Sequence, residues 1–280
     1  MLDAPVVHSL TPADFPEARE LLAHNPVIDV FVSSRVHQAG TTGRGLGGEL
    51  WGYREHGRLV SMCYAGANLV PVAATPPAIR TFADLASPRR RMCSSIVGPA
   101  TAVLALWDLL QPAWGPAREV RARQPVLAID REPDVSPDPS VRRVRPDEIH
   151  RLLPASIAMF SEEVGVSPIG PDNGAQYRAR VAELVNSGRA FARFEDGEVV
   201  FKADIGAVTP LACQVQGVWV RPDRRGNGLA GAGMAAVVEY ARREIAPIVS
   251  LYVNDYNVAA RAAYRHVGFA EVGTFATVLF

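Results

Sequence analysis

An order of segments that occurs twice constrains this chain more than any other feature. VVHSLTPADFPEARELL, beginning at Val6, is matched by VRRVRPDEIHRLLPASI, beginning at Val141. Each reads as a short strand, a helix start marked by proline and aspartate, and an amphipathic helix. ELWGYREHGRLVSMCYAGANLVPVAA, beginning at Glu49, is matched by RAFARFEDGEVVFKADIGAVTPLACQVQGVWV, beginning at Arg189. Each reads as three strands, the first two joined by a hairpin turn at His56-Gly57 or Asp196-Gly197. The pattern predicts two copies of one unit, an α/β (α+β mixed sheet) fold related by diverged duplication. Chance agreement between common strand–hairpin–strand units is the alternative.

The composition shift at 131–140, REPDVSPDPS, separates the two halves. Three prolines and three acidic residues with little apolar content predict an exposed linker. The halves are then residues 1–130 and 141–280. In the second, helices are expected from Pro146 to about Phe160, Ala175 to Asn186, Leu229 to Arg243 and Asn257 to His266. Strands are expected at Val141–Arg145, Ala190–Phe194, Val199–Ile205, Ala212–Val220, Ile248–Val253, Phe269–Val272 and Phe275–Phe280. In the first half, helices at Ala78–Ala86 and Thr101–Gln111 alternate with strands at Met92–Val97 and Pro125–Asp130.

Composition removes several function classes. The formal net charge is zero, so no basic stripe points to nucleic acid or a membrane surface. No apolar run approaches the roughly 20 residues that span a bilayer. The first residues, MLDAPVVHSLTPADF, lack the pattern of a secretory signal, and a cytoplasmic location is expected. Three scattered cysteines, Cys63, Cys93 and Cys213, form neither a disulfide framework nor a zinc site, and six histidines show no ligand spacing. No metal is expected. Positive charge is nearly all arginine, and Lys202 is the only lysine.

The chemistry concentrates in QVQGVWVRPDRRGNGLAGAGM, residues 214–234. A strand ends near Pro222, Arg224, Arg225, Gly226, Asn227 and Gly228 form a turn, and a helix starts at Leu229. Glycines at a helix start leave the first N–H groups unobstructed, and with the helix dipole these form an anion site. Arg224 and Arg225 add positive charge at its mouth, and phosphate or pyrophosphate is the natural ligand. The segment is neither a P-loop nor the dinucleotide fingerprint, since no Gly-Lys-Ser/Thr and no G-x-G-x-x-G is present. A second segment, LYVNDYNVAARAAYRHVGF, residues 251–269, places Asn257 and Tyr264 on one helix face. A tyrosine there can donate its phenolic proton to a leaving group, or be a structural residue against the sheet.

Together these segments resemble the GNAT superfamily of acetyltransferases. Arg225-x-x-Gly228-x-Ala230 fits the superfamily's pyrophosphate loop, and Asn257, Ala260, Tyr264, Gly268 and Phe269 fit its Asn-x-x-Ala-x-x-x-Tyr-x-x-x-Gly-Phe pattern. The resemblance covers Val141 to Phe280. Taken whole, the chain resembles the two-domain actinobacterial members, whose N-terminal domain is GNAT-like, degenerate and of unknown function.

The resemblance implies an N-acyltransferase that uses acetyl-CoA and transfers its acyl group directly to an amine in a ternary complex. It implies that main-chain groups of Val218, Trp219 and Val220 bind the pantetheine arm. N–H groups from Gly226 through Asn227, Gly228 and Leu229 to Ala230 would hold the pyrophosphate, and Asn257 the pantetheine or diphosphate arm. Tyr264 would protonate the departing thiolate, and a main-chain N–H at Val218 or Val220 would stabilise the oxyanion. Gly217 marks either the bulge that opens the slot or a plain strand glycine. The general base is left open among Glu162, Glu163, Asp255 and a water, because the strand before the loop offers only Gln214 and Gln216. The acceptor, a small-molecule or peptide amine, is expected near 160–163 and the loop 165–174.

The first half departs where it matters. Its equivalent turn, ATPPAIRTF, has prolines where N–H donors are needed, so it is expected to bind no acyl-CoA. Two other functions remain open: a non-catalytic acyl-CoA sensor, and transfer of a bulkier acyl or aminoacyl group, as in peptidoglycan-modifying aminoacyltransferases of tandem design.

Overall fold

A computed structural model describes residues 6–40, 42–170 and 172–280. Residues 1–5, at the start of the expected first half, and Pro171, in the loop 165–174, lie outside the described residues. The chain packs as two compact units.

The first runs to Val126 and contains β1 (Val6–Ser9), α1 (Phe15–Ala23), α2 (Val30–Ala39), β2 (Gly48–Glu55), β3 (Arg58–Gly66), β4 (Asn68–Val72), α3 (Pro76–Ala86), β5 (Ser95–Pro99), α4 (Ala100–Trp114) and most of β6 (Glu119–Ile129). The second, from Leu127, contains β7 (Arg142–Arg143), α5 (Ile149–Val164), α6 (Ala175–Asn186), β8 (Ala190–Glu195), β9 (Glu198–Val208), β10 (Ala212–Val220), α7 (Leu229–Glu244), β11 (Ile248–Tyr252) and α8 (Val258–Val267). The last strand, β12 (Ala270–Leu279), carries the chain back to the first unit from Glu271 onward. Strand, two helices, three strands, then helix, strand, helix, strand occur in this order twice; the repeated segments predicted this order except for α2, which the sequence of the first half did not announce.

The repetition extends to local chemistry. Both predicted hairpins have two-residue turns with positive φ at both positions: His56 (49°) and Gly57 (76°), Asp196 (50°) and Gly197 (83°). This turn matches the right-handed twist of the strands it joins. Each unit also opens its first helix with a 3-10 turn capped by an acid. Asp14 accepts the Thr11 N–H at 2.8 Å, and Glu148 accepts the Arg145 N–H at 3.0 Å.

In the first unit the strand order is β1-β2-β3-β4-β5-β12. Alternation along the strands feeds two cores. Leu50, Met62 and Val72 pack with Phe15, Leu22 and Val36 of α1 and α2, while Trp51, Cys63 and Ile96 pack with Phe82 and Leu106 of α3 and α4. β12 pairs antiparallel with β5, from Phe275↔Pro99 to Leu279↔Ser95, and buries Ala276 and Val278 in the second of these cores. The sequence predicted two final strands broken near Gly273; they are one strand.

In the second unit the order is β11-β10-β9-β8-β7, with β10 and β11 parallel. α5 and α6 cover one face through Leu152, Ala155, Val181 and Leu184. α7 covers the other so closely that a Cβ on Gly233 would stand 2.7 Å from the Phe201 ring, which is why a glycine sits there. The segment 131–140 is not a free tether: the Asp134 N–H donates to Val267 O, the Asp138 N–H to Ala232 O, and Arg193 to the Asp138 carboxylate at 2.8 Å. These bonds strap it along α7 and α8. No helix of the described residues is long and apolar enough to cross a membrane.

Candidate functional site

The site is built where β10 leaves its neighbours. On one side β10 pairs with β11 only from Ala212↔Ile248 to Gln214↔Ser250, where Ser250 Oγ also donates to Cys213 O at 2.9 Å. On the other side β10 continues along β9 to Val220↔Phe201. The two parallel strands therefore part after Gln214, and the main chain from Val215 to Val220 faces the opening between them.

The register against β9 shifts between Gln216↔Asp204 and Trp219↔Lys202, so Gly217 and Val218 together stand opposite Ala203. Gly217 has φ +60°, a conformation an L side chain rarely adopts. It marks a bulge, one of the two readings its sequence allowed. A Cβ there would meet Met159 Cε at 3.0 Å and both Lys202 Nζ and Asp204 Oδ2 at 3.1 Å.

Beyond β10 the chain makes a 3-10 turn at Pro222–Arg224 and enters α7. Gly228 is the N-cap, in left-handed conformation at φ +76°, and no side chain caps the helix. The first N–H groups of α7 thus have no side-chain acceptor, and open space surrounds the positions where Cβ atoms would stand on Gly226 and Gly228. Bare N–H donors, a helix dipole and the absence of side-chain bulk fit a pyrophosphate.

The flanking arginines are less free than the sequence implied. Arg225 Nη2 pairs with Glu162 Oε2 at 2.6 Å, and its Nε donates to Val220 O at 3.0 Å. Arg224 pairs with Glu195. Asn227 Nδ2 donates to Arg224 O at 3.3 Å, folding the loop onto itself. Glu162, considered as a base, also accepts from Trp219 Nε1 at 3.1 Å. Both its oxygens are engaged, and it acts as a clamp between α5, β10 and the loop. Trp219 itself is buried in the α5–α6 core, so its main chain rather than its ring faces the opening.

Asn257 is the N-cap of α8, which starts one residue later than predicted, and its Oδ1 accepts the Ala260 N–H at 3.1 Å. Tyr264 is buried with its ring edge on Phe269, centroids 6.0 Å apart. Burial, reinforced by the Glu163 charge, raises its phenol above the usual tyrosine range, so the proton stays on the oxygen. Asp255 belongs to the first unit. Gln214 is buried, and Gln216 lies over Gly206. Burial pushes the Cys213 thiol up to about 12 and raises Cys63 as well, so neither supplies a thiolate at neutral pH. Among the described residues no group of three or more His, Cys, Asp or Glu is arranged to hold a metal ion. In the loop 165–174, Asp172 accepts the N–H groups of Gly174 and Gln176 at 3.0 and 2.9 Å and caps α6.

One part of the site escaped the sequence reading. Lys202 is fully buried, its Nζ 2.5 Å from Asp204 Oδ2 and 3.0 Å from the carbonyl oxygen of Gly217. Its being the only lysine among 29 Lys and Arg residues was the one available signal.

Two segments of the chain match known protein families, and its fold matches solved structures. Residues 158–269 match the Acetyltransferase (GNAT) family, and residues 48–152 match DUF4081, a domain of unknown function. No curated protein matches the chain. Among solved structures, a GCN5-related N-acetyltransferase from Sphaerobacter thermophilus superposes with TM-score 0.62 at 18% identity, covering 99% of this chain and 96% of that one. A GNAT-family acetyltransferase from Colwellia psychrerythraea gives 0.57 at 12%, covering 98% and 99%. A tandem GNAT protein from the clavulanic acid biosynthesis pathway gives 0.57 at 14%, covering 99% and 98%. The chain thus has the fold of the tandem GNAT proteins, and its residues 158–269 match the GNAT acetyltransferase family.

Proposed function

We propose that the protein is an N-acyltransferase that uses acetyl-CoA and passes the acetyl group directly to an amine in a ternary complex. One observation carries the reading: the parting of β10 from β11 runs, through the Gly217 bulge, straight into the uncapped start of α7. An extended pantetheine arm can pair with Val218 to Val220, and the N–H groups at Gly226 to Ala230 can receive the pyrophosphate. Arg224 and Arg225 contribute by holding the loop's shape as much as by charge, since both are already ion-paired. Asn257 fixes the start of α8 and so the position of Tyr264.

In the reaction the amine lone pair forms the new N–C bond, the C–S bond breaks and the thiolate departs, and the proton that the nitrogen releases passes to water. A main-chain N–H in the bulge steadies the charge on the carbonyl oxygen. Tyr264 keeps its proton and donates a hydrogen bond to the departing sulfur. Complete transfer is uphill, because an ordinary thiol near 8.5 is already the stronger acid. The Tyr264 hydroxyl therefore stabilises the thiolate more than it neutralises it. The acceptor is a small-molecule or peptide amine, a cytoplasmic location fits the reading, and the first unit serves as a degenerate GNAT-like domain that binds no acyl-CoA.

The non-catalytic sensor reading draws support from β10, which offers Gln214 and Gln216 where a base is wanted, and from the engagement of both Glu162 oxygens. Calorimetric titration with acetyl-CoA, beside Gly228→Glu, tests binding, and thiol release with a panel of amines, beside Tyr264→Phe, tests transfer. Binding abolished in Gly228→Glu and release slowed roughly 10²-fold or more in Tyr264→Phe are the expected outcomes. Binding without turnover on any amine favours the sensor. Absence of binding to the wild type overturns both readings.

A further inference from the structure

Lysine is almost never fully buried unless a partner holds its charge. Lys202 has such a partner in Asp204, two residues along β9 and on the same face. The pair does not stabilise a remote part of the core. It lies against the bulge at Gly217, where β10 shifts register between Gln216 and Trp219, and the ammonium donates directly to the Gly217 carbonyl.

The consequence follows from the peptide plane. None of the described peptide bonds is cis, so the Gly217 C=O and the Val218 N–H point in opposite directions across one rigid unit. The glycine's positive φ lets that plane turn. Lys202 takes hold of the oxygen from the side of β9 and Met159, and the N–H is thereby aimed away from that side. A cation on the oxygen also polarises the amide and makes its N–H a stronger donor.

We propose that Lys202, fixed by Asp204, is a positioning residue that sets the Gly217–Val218 peptide so that the Val218 N–H serves as the hydrogen-bond donor to the thioester carbonyl. This rests on the acyl-CoA reading above and selects Val218 over Val220. It also accounts for a lysine in an arginine-rich chain. A compact ammonium fits between a carboxylate and a carbonyl, whereas a planar guanidinium needs a wider slot.

The test needs no acceptor. Binding of acetyl-CoA is compared by calorimetry with that of S-ethyl-CoA, in which a methylene replaces the carbonyl. The carbonyl stretch of bound [1-¹³C]acetyl-CoA is read by isotope-edited infrared spectroscopy. The proteins are wild type, Lys202→Met, Lys202→Arg and the double variant Lys202→Met/Asp204→Leu, which leaves no orphan carboxylate if the single change fails to fold. The wild type should prefer acetyl-CoA by about 5–10-fold, the worth of one hydrogen bond. The variants should bind S-ethyl-CoA as the wild type does, lose that preference and move the carbonyl band to higher wavenumber, with arginine giving no rescue. An unchanged preference and band in the folded double variant overturns the role of Lys202. Failure of the wild type to bind either ligand overturns the acyl-CoA reading itself, a result separable from the first.

Discussion

The turn after β4 and the turn after β10 occupy the same position in two copies of one element order, and they do opposite things with their N–H groups. After β10, two glycines with positive φ lead into a helix whose start no side chain caps. After β4, Thr75 caps α3, its Oγ1 accepting the Ala78 N–H at 3.4 Å, and Pro76 and Pro77 fill the first two helical positions. Two of the donors an anion would use do not exist, and a third is taken. The strands differ too. β4 pairs with β3 from Met62↔Val72 to Ala65↔Leu69 without a shift, while β10 carries the bulge at Gly217. Both copies keep the partial parallel pairing, Asn68↔Ser95 and Leu69↔Ile96 in the first and Ala212↔Ile248 to Gln214↔Ser250 in the second. The repeated scaffold thus keeps its sheet while a handful of residues decides whether the helix start is bare, because glycines leave its N–H groups open and prolines and a cap remove or occupy them.

The sharpest way to break this contrast is to straighten the bulge. Gly217→Val forces a β-branched residue into a left-handed conformation against Met159, Lys202 and Asp204. It should lower stability by about 2–3 kcal/mol and acyl transfer by roughly 10²-fold or more, read by thermal melts and thiol release. Near-wild-type turnover would mean that β10 works without its bulge, as regular as β4.

The equivalent acids at the two 3-10 turns give a second, smaller contrast. The Arg142 guanidinium beside Glu148, helped by the Arg145 N–H, lowers its carboxyl from an ordinary value near 4.5 to about 2. The Thr11 N–H is the main cause lowering Asp14, with Arg54 assisting. Carboxylates depressed in the folded state add stability that is present above their unfolded values and lost as the pH falls through the folded ones. Melting temperature should therefore drop from about pH 4.5 toward pH 2. Glu148→Gln should flatten that slope more than Asp14→Asn does. Equal slopes would show the two caps to be interchangeable.

The smallest expected effect is at the first unit's turn. Thr75→Ala removes the cap of α3 and should cost about 1 kcal/mol in denaturant unfolding, with acetyl-CoA affinity unchanged. A change in that affinity would place the first unit in cofactor binding and dissolve the contrast.

Much of this architecture was legible because it rests on local rules. Period-two alternation in the strands, the His56-Gly57 and Asp196-Gly197 turns and the Pro-Asp helix starts each announce themselves within a few residues, and the bounds of α6 and β10 came out as read. The glycines of 226–228 were legible for the same reason. What the sequence could not display are pairings between distant segments. Glu162 reads as a candidate base just beyond the predicted end of a helix, and only the approach of α5 to β10 turns it into a clamp for Arg225 and Trp219. The strand β12 follows α8 in the chain, yet its hydrogen bonds go to β5, a choice that depends on which strand edge is available.

Sequence alone determined the repeated element order, the bare helix start and the absence of that start from the first copy, since each depends on which residues carry N–H groups, Cβ atoms or a tolerance for positive φ. Tertiary structure alone decided that the sole lysine would be buried at the bulge. Lys202 and Gly217 are 15 residues apart on neighbouring strands, and the one-residue shift in register that brings the ammonium onto that carbonyl is a property of the pairing, not of either segment.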